Sequence, residues 1–345
     1  MSFKNLDELI KYEFPEKNIV KTLTDKEIKN IDKKYHYSLS FFFKREIILI
    51  IDKIINFFLK GNFSMIKSRT LSYVKKKYDD LAGSYIEEFN NEDRSSIIEL
   101  SDNRVVEIKG DIKDYHSECL SKIIIETNSK KILDVGTGEF TQFYLVKNKL
   151  NNKNYELLKD AGLDISFNRL DLGKKFLNQN NIKIDYILQA DASNIPISEN
   201  SFDLIYTCHC LEQVPNLFQK SVEEMLRVSS KFVVLIEPSY ELSSAASKKY
   251  IYGKNYVKIT DKILSKIKGV SKILRKKLPV RQYINGAEMI IIEKNTTPQT
   301  VNNDIKFISP KSKDLLILNE EEKTFETKNK KEKFLIDKGI IRFLE

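Results

Sequence analysis

From Lys130 to Asn295 the chain alternates short apolar runs with helical periods. KILDVG at 131–136, FDLIYTCH at 202–209 and KFVVLIEP at 231–238 read as strands. DAGLDIS and IDYILQAD end two shorter ones. Between them, TQFYLVKNKL and LFQKSVEEMLRVS place apolar residues at three- and four-residue spacing, the period of an amphipathic helix. Apolar runs of this length, separated by helices, predict a parallel sheet covered on both faces. TDKILSKIKG then predicts a helix with Thr260 as its cap and Gly269 as its stop. LPVRQYIN and AEMIIIEKN are close enough to predict an antiparallel pair. The whole predicts a doubly wound α/β sheet of seven strands, six running one way and one reversed, on a monomeric core.

Two segments flank this region. LSFFFKREIILIIDKIINFFL, at 39–59, holds fourteen apolar residues and five charges. Those charges cost roughly 12 kcal/mol or more at a bilayer centre against about 4–8 kcal/mol gained, so the helix is not expected to span. Arg45, Asp52 and Asn56 mark its polar stripe, and the face of Ile47, Ile50, Ile51, Ile54 and Phe58 is expected to bury itself on the main domain, with peripheral membrane contact as the alternative. TLSYVKKKYDDLAGSYIEEF predicts a second helix. The tail is short, charged and strand-rich. The expected division is a helical arm at 1–68, a main domain at 69–298 and a small β-rich appendage at 299–345.

Composition narrows the class. At 345 residues, 41% hydrophobic and 31% charged, this is a globular chain. Three cysteines, Cys119, Cys208 and Cys210, give no disulfide framework, which fits a reducing, cytoplasmic setting. Net charge is +9, yet Lys248 to Arg281 alone holds twelve Lys or Arg against one acid, Asp261. Such a run is either a solvated face or a patch for phosphates.

The glycine turn in KKILDVGTGEF carries the first chemistry. Glycine is rare here, 11 in all, yet Gly136 and Gly138 stand one residue apart with Asp134 just before them. A dinucleotide fingerprint would need a third glycine at 141, where Thr141 stands. S-adenosylmethionine asks for something else: close backbone approach for its methionine end, a carboxylate for its ribose diol and an acceptor for its adenine amino group. LDVGTG, GLDIS and QADASNIPISENSFDLIY supply these in order, ending in Gly138, Asp164 and Asp191. Over about 70–295 this set resembles class I S-adenosylmethionine-dependent methyltransferases of the type 11 group, whose fold is Rossmann-like. YDDLAGSY, NIPISENSFDLIYTCHCLEQV and EEMLRVSSKFVVLIEP belong to the same resemblance. It implies that Gly136 and Gly138 pass beside the methionine moiety, with Asp134 near its amino group. It further implies Asp164 on the ribose hydroxyls, Asp191 on the adenine amino group, and Ile165 and the Ala192 backbone against the ring. One departure is Phe140, where the family often has a third glycine.

Methyl transfer needs alignment and exclusion of water more than it needs a base. His209 in TCHCLEQV is the candidate base or orienting group. Glu237 and Tyr240 in EPSYE are candidates to line the acceptor pocket. Strand alternation would set Cys208 and Cys210 on one face with His209 turned away, and no C-x-x-C pair exists, so no metal site is expected. The tail, with SPKS at 309–312 and FLIDKGIIRFL near its end, is similar to the zinc-ribbon-like activators of RNA and protein methyltransferases. Ser309 and Ser312 stand where those have cysteines, so zinc is not implied. The expected function is methyl transfer to a small molecule or a glycan intermediate, the latter anionic and met by the basic run. A tRNA or protein acceptor is the less favoured alternative, and a non-catalytic scaffold is the third.

Overall fold

The computed structural model describes residues 7, 10–11, 14–34, 39–59, 70–91, 93–243, 245–278, 280–284, 286–295 and 304–344. The expected domain boundaries near 68 and 298 lie outside them. The strands are, in chain order, β1 (Ile19–Thr22), β2 (Ser95–Glu99), β3 (Val105–Lys109), β4 (Lys131–Val135), β5 (Lys159–Asp164), β6 (Tyr186–Gln189), β7 (Phe202–Cys208) and β8 (Ser229–Pro238). Then follow β9 (Val270–Lys277), β10 (Arg281–Gln282), β11 (Ala287–Lys294), β12 (Leu316–Asn319), β13 (Thr324–Thr327), β14 (Lys333–Asp337) and β15 (Ile340–Arg342).

The main sheet has eleven strands in the order β12-β13-β14-β15-β6-β5-β4-β7-β8-β11-β9. Six neighbours, β15 to β8 through the centre, pair in parallel. β11 runs against both β8 and β9. β5 lies on one side of β4 and β7 on the other, so the strand order reverses at β4, and a crevice opens at the carboxyl ends there. Alternation along each strand sends side chains to two cores. Leu133, Ile205, Val233 and Leu235 join Phe218 and Val222 of the helix Phe218–Val228. Ile132, Leu204, Val234 and Ile236 face the opposite way, onto Leu120, Ile123 and Ile124 of the helix Lys113–Glu126.

Four expectations are corrected. The seven-strand sheet is enlarged because the tail strands continue it beyond β6. AEMIIIEK takes β9, not LPVRQYIN, as its outer partner; Arg281 and Gln282 pair instead with β2 in a separate sheet ordered β1-β3-β2-β10. Ion pairs with one buried and one half-buried acid explain the choice. Arg275 of β9 reaches the fully buried Glu288 of β11 at 2.8 Å, and Arg281 is bonded to Glu99 of β2. The second helix is broken at Leu81–Gly83, where Gly83 has φ +98°.

The arm helix, Leu39–Leu59, is turned round. Its expected buried face is exposed: Ile50 is 55% and Phe58 75% accessible, whereas Asp52 is 5%. The inward stripe runs through Phe41, Arg45, Ile48, Asp52 and Ile55. Arg45 donates to Asn255 Oδ1 at 2.9 Å and lies over the Tyr252 ring, and Tyr252 donates to Glu46. Specific polar partners on the helix Ala245–Lys254 and the turn after it set the orientation, overriding the apolar face. No helix among the described residues is long and apolar enough to cross a membrane.

The tail docks by its last strand. Phe343 N–H donates to Gln189 O at 2.9 Å, and Phe307, Phe325, Phe334 and Phe343 form one aromatic group. In the SPKS knuckle, Ser309 Oγ accepts from the N–H groups of Lys311 and Ser312, and Ser312 Oγ donates to Glu332. Hydroxyl hydrogen bonds close this turn.

Candidate active site

A cavity of about 560 Å³ lies at the carboxyl ends of β4 to β7. Gly136, Asp164, Ile165, Asp191, Ala192 and His209 all line it. Residues expected from a one-dimensional pattern thus share one wall. Asp134, Gly138, Glu237 and Tyr240 are not on that wall.

The glycine turn is held from three sides. Asp164, 6% exposed, accepts from Gly138 N–H through Oδ2 and from Ser166 N–H through Oδ1, both at 2.9 Å. Gly136 and Thr137 N–H groups donate to Leu163 O. Glu139, buried, accepts from Gly83 N–H and Ile86 N–H, which fastens the helix Ser84–Asn90 onto the turn. The close approach that the glycines permit is taken up by the chain itself. A Cβ on Gly136 would stand 2.2 Å from Cys210 Sγ, and one on Gly138 would stand 2.4 Å from the Arg169 guanidinium.

Phe140 does not enter the cavity. It takes φ +61° and is fully buried beside Phe143. Its ring fills space left by Gly162 and Gly173, where an added Cβ would lie 2.3 and 2.6 Å from it. Those two glycines were the sequence signal for where the ring goes.

Asp134 sits behind the turn and accepts from Thr137 Oγ1 at 2.9 Å. Burial pushes its carboxyl up to about 7. Asp191 is engaged locally, accepting from Ser193 N–H and Ser193 Oγ at 2.8 Å each. Glu237, expected to line the acceptor pocket, is instead fully buried beneath the loop after β7. It accepts from the N–H groups of Cys210, Leu211 and Glu212 and so fixes that loop. Burial and the nearby Glu212 raise it to about 7. Tyr240 stands apart, with Lys258 over its ring.

His209 differs from its expected placing. At φ +53° it leaves the strand alternation, so it turns to the same side as Cys208 while Cys210 packs under Gly136. Its Nδ1 is 3.4 Å from Glu212 Oε2. Burial alone would lower the imidazole, but the Glu212 carboxylate outweighs it and raises the affinity for a proton. Sequence reasoning missed the roof of the site. Arg169 lies over the rings of Tyr78 and Tyr85 at 5.1 and 4.4 Å and bonds Glu139 at 3.3 Å. Tyr78 and Tyr85 are the two ends of YDDLAGSY, a segment that carried part of the resemblance but no assigned role, and Arg169 lay in no motif.

Residues 133–236 match the family model for a methyltransferase domain. Over that stretch the chain is similar to methyltransferase domains. Three similar solved structures are distant. The citrinin polyketide synthase CMeT domain is 15% identical over 54% of this chain and 52% of its own, with a TM-score of 0.42. The [4+2]-cyclase SpnF is 12% identical over 68% of this chain and 100% of its own, at 0.47. Magnesium protoporphyrin IX methyltransferase from Synechocystis PCC 6803, solved with bound S-adenosylmethionine, is 9% identical over 67% and 100%, at 0.45. This chain therefore spans about half the length of the first of these. No curated protein sequence matches. With TM-scores below 0.5, none of the three bears on which residues act here.

The cavity is not lined by the charged residues of the basic run. Of the described residues between 248 and 281, only the neutral Tyr256 reaches its wall. Arg275 is taken by Glu241, Asp261 and Glu288, Arg281 by Glu99 and Lys276 by Asp7.

Proposed function

We propose that this chain is an S-adenosylmethionine-dependent methyltransferase. The observation that carries the reading is the gathering of Gly136, Asp164, Ile165, Asp191 and Ala192 on one cavity wall at the reversal of strand order. The wall suits the cofactor's parts. Asp164 and Asp191 each have acceptor capacity left beyond the bonds they already make, which suits a diol and an amino group. Ile165 and Ala192 offer an apolar edge for a purine. When bound, the cofactor supplies an electrophilic methyl group.

The protein's share is orientation and dryness. Tyr78, Tyr85 and Arg169 roof the cavity, and the Glu139 anchor keeps that roof on the glycine turn. His209 faces the acceptor side, with one ring nitrogen turned to Glu212 and the other left to orient or deprotonate an acceptor. The basic run lends a phosphate-bearing glycan acceptor no support, since its charged residues lie elsewhere; the cations on the lining are Lys77, Arg94, Lys113 and Arg169. A small-molecule acceptor is the reading that a cavity of this size favours.

Calorimetric titration of the full chain with S-adenosylhomocysteine tests this. Wild type should bind one equivalent. Asp191→Ala, which removes only locally bonded oxygens, should bind about tenfold or more weakly, as expected for one lost hydrogen bond to a charged group. No heat with wild type, or equal affinity in the variant, would overturn the reading.

A further inference from the structure

The lining of the same cavity holds a cluster that methyl transfer does not require. His116 comes from the helix Lys113–Glu126, Cys208 ends β7 and His209 follows it. One ligand atom from each of the three lies within 4.8 Å of the other two. His116 Nδ1 is 3.6 Å from Cys208 Sγ, and the two imidazole rings are 5.6 Å apart at 33°. All three residues line the cavity.

His116 is 1% exposed, and its Nε2 is buried with no hydrogen-bond partner. Its other nitrogen has only the thiol. The nitrogen that faces the cluster is Nδ1, and a buried ring nitrogen whose partner is a thiol at 3.6 Å is weakly satisfied and open to a better ligand. His209 carries a second cost, a left-handed backbone at a residue with a side chain. That conformation is what turns it toward Cys208. Glu237 holds the three backbone N–H groups that follow, so the strained loop is fixed in place.

We infer that His116, Cys208 and His209 bind a divalent ion of the zinc class, with its fourth coordination position open to the cavity. Two imidazoles and a thiolate select zinc or its neighbours rather than magnesium or calcium. Zinc bonds of about 2.0–2.1 Å to nitrogen and about 2.3 Å to sulfur give tetrahedral edges of roughly 3.3–3.6 Å. The 3.6 Å His116–Cys208 pair already meets this, and the third ligand needs to close by up to about 1.5 Å. Glu212 beside His209 Nδ1 orients that ring from behind, as carboxylates do for metal-bound histidines, and Glu212 is itself fixed by Gln213 Nε2 at 2.7 Å. Three protein ligands with an open fourth place are the pattern of a reactive site, one that takes water or a substrate heteroatom, rather than of a closed structural one. Metal ligation and proton transfer would use the same nitrogen of His209, so the two roles exclude each other.

The test is metal binding by the full chain, read without any methyl donor. Metal-free protein is titrated with Co²⁺, watching for the thiolate-to-cobalt charge-transfer band and tetrahedral d–d bands, then challenged with Zn²⁺. One equivalent should bind with both signatures, and Zn²⁺ should displace it. Cys208→Ser should abolish the charge-transfer band, and His116→Ala and His209→Ala should each weaken binding by about 10–100-fold. Cys119→Ser and Cys210→Ser should leave the spectrum unchanged. Because His116 is buried, melting curves accompany each variant, and the more accessible His209 decides the matter if His116→Ala fails to fold. No stoichiometric uptake by wild type, or uptake that Cys208→Ser and His209→Ala leave intact, would overturn the assignment.

Discussion

The Asp164 carboxylate accepts a hydrogen bond from the Gly138 N–H at 2.9 Å, so the end of β5 holds the turn at the end of β4. A residue expected to serve only a ligand is therefore also part of the scaffold. Asp164→Ala should weaken S-adenosylhomocysteine binding and also lower stability by about 1–3 kcal/mol, because a buried N–H loses its acceptor. Asp164→Asn keeps one acceptor oxygen and should recover part of the stability. Calorimetry and urea unfolding on the same samples separate the two effects; an unchanged unfolding midpoint in Asp164→Ala would deny the scaffold role.

Asp134 should make stability pH-dependent. Burial holds its folded carboxyl near 7, above the ordinary 3.8. Between about pH 4 and pH 7 the unfolded chain has lost this proton while the folded chain keeps it. Its contribution is thus complete below about pH 4, falls as pH rises through that window and is gone above about pH 7, a change on the order of 2–4 kcal/mol. Asp134→Asn does not titrate. The gap between wild type and this variant, measured by urea unfolding at pH 5 and pH 8, should shift in favour of the variant at the higher pH.

Phe140→Ala should cost about 3–5 kcal/mol by emptying a fully buried aromatic site. Because the ring packs between Gly162 and Gly173 and away from the cavity, affinity for S-adenosylhomocysteine should stay within about twofold of wild type. A large gain in affinity would place the ring in the ligand's way.

Gly136→Ala should be destabilising by about 1–3 kcal/mol, since its Cβ would overlap Cys210 Sγ at a backbone φ of +79°. Cys210→Gly in the same chain should restore part of that loss, because both the Sγ and the Cβ of Cys210 stand in the way. Simple additivity of the two changes in thermal unfolding would show that backbone strain alone is at fault.

The exposed face of the arm helix makes the opposite prediction. Ile50→Gln with Ile54→Gln should leave the melting temperature nearly unchanged, within about 0.5 kcal/mol, as for ordinary surface sites. Arg45→Ala should lower it, by about 1 kcal/mol for the lost bond to Asn255 and the lost stacking on Tyr252. Differential scanning calorimetry on these variants reads both outcomes.

What the sequence made legible was local and ordered along the chain. Gly136, Asp164 and Asp191 each end a strand, and parallel strands bring such ends together whatever lies between. His209 was misplaced because alternation assumes extended backbone, and one left-handed residue reverses it. The arm failed for a different reason. Hydrophobicity names a face but not a partner, and Arg45 is directed by Asn255 and Tyr252, some 200 positions away. Strands β2 and β3 went unread because Ser95, Ser96 and Glu99 in the one and Glu107 and Lys109 in the other leave too short an apolar pattern. Arg275 looked like part of a solvated basic run; only the pairing of β9 with β11 reveals the buried Glu288 that it neutralises.

The pairing of β15 with β6 sets an order of assembly. Ile341 and Arg342 complete the edge beside Leu188 and Gln189, across about 150 intervening positions. During synthesis that edge is formed long before its cover leaves the ribosome. Until then β6 presents unpaired backbone groups that can recruit a strand from another chain. Closing so long a loop comes late, because its entropy is lost before any contact rewards it. Chains that stop short of Ile340 should therefore keep a preformed core and yet accumulate as aggregates.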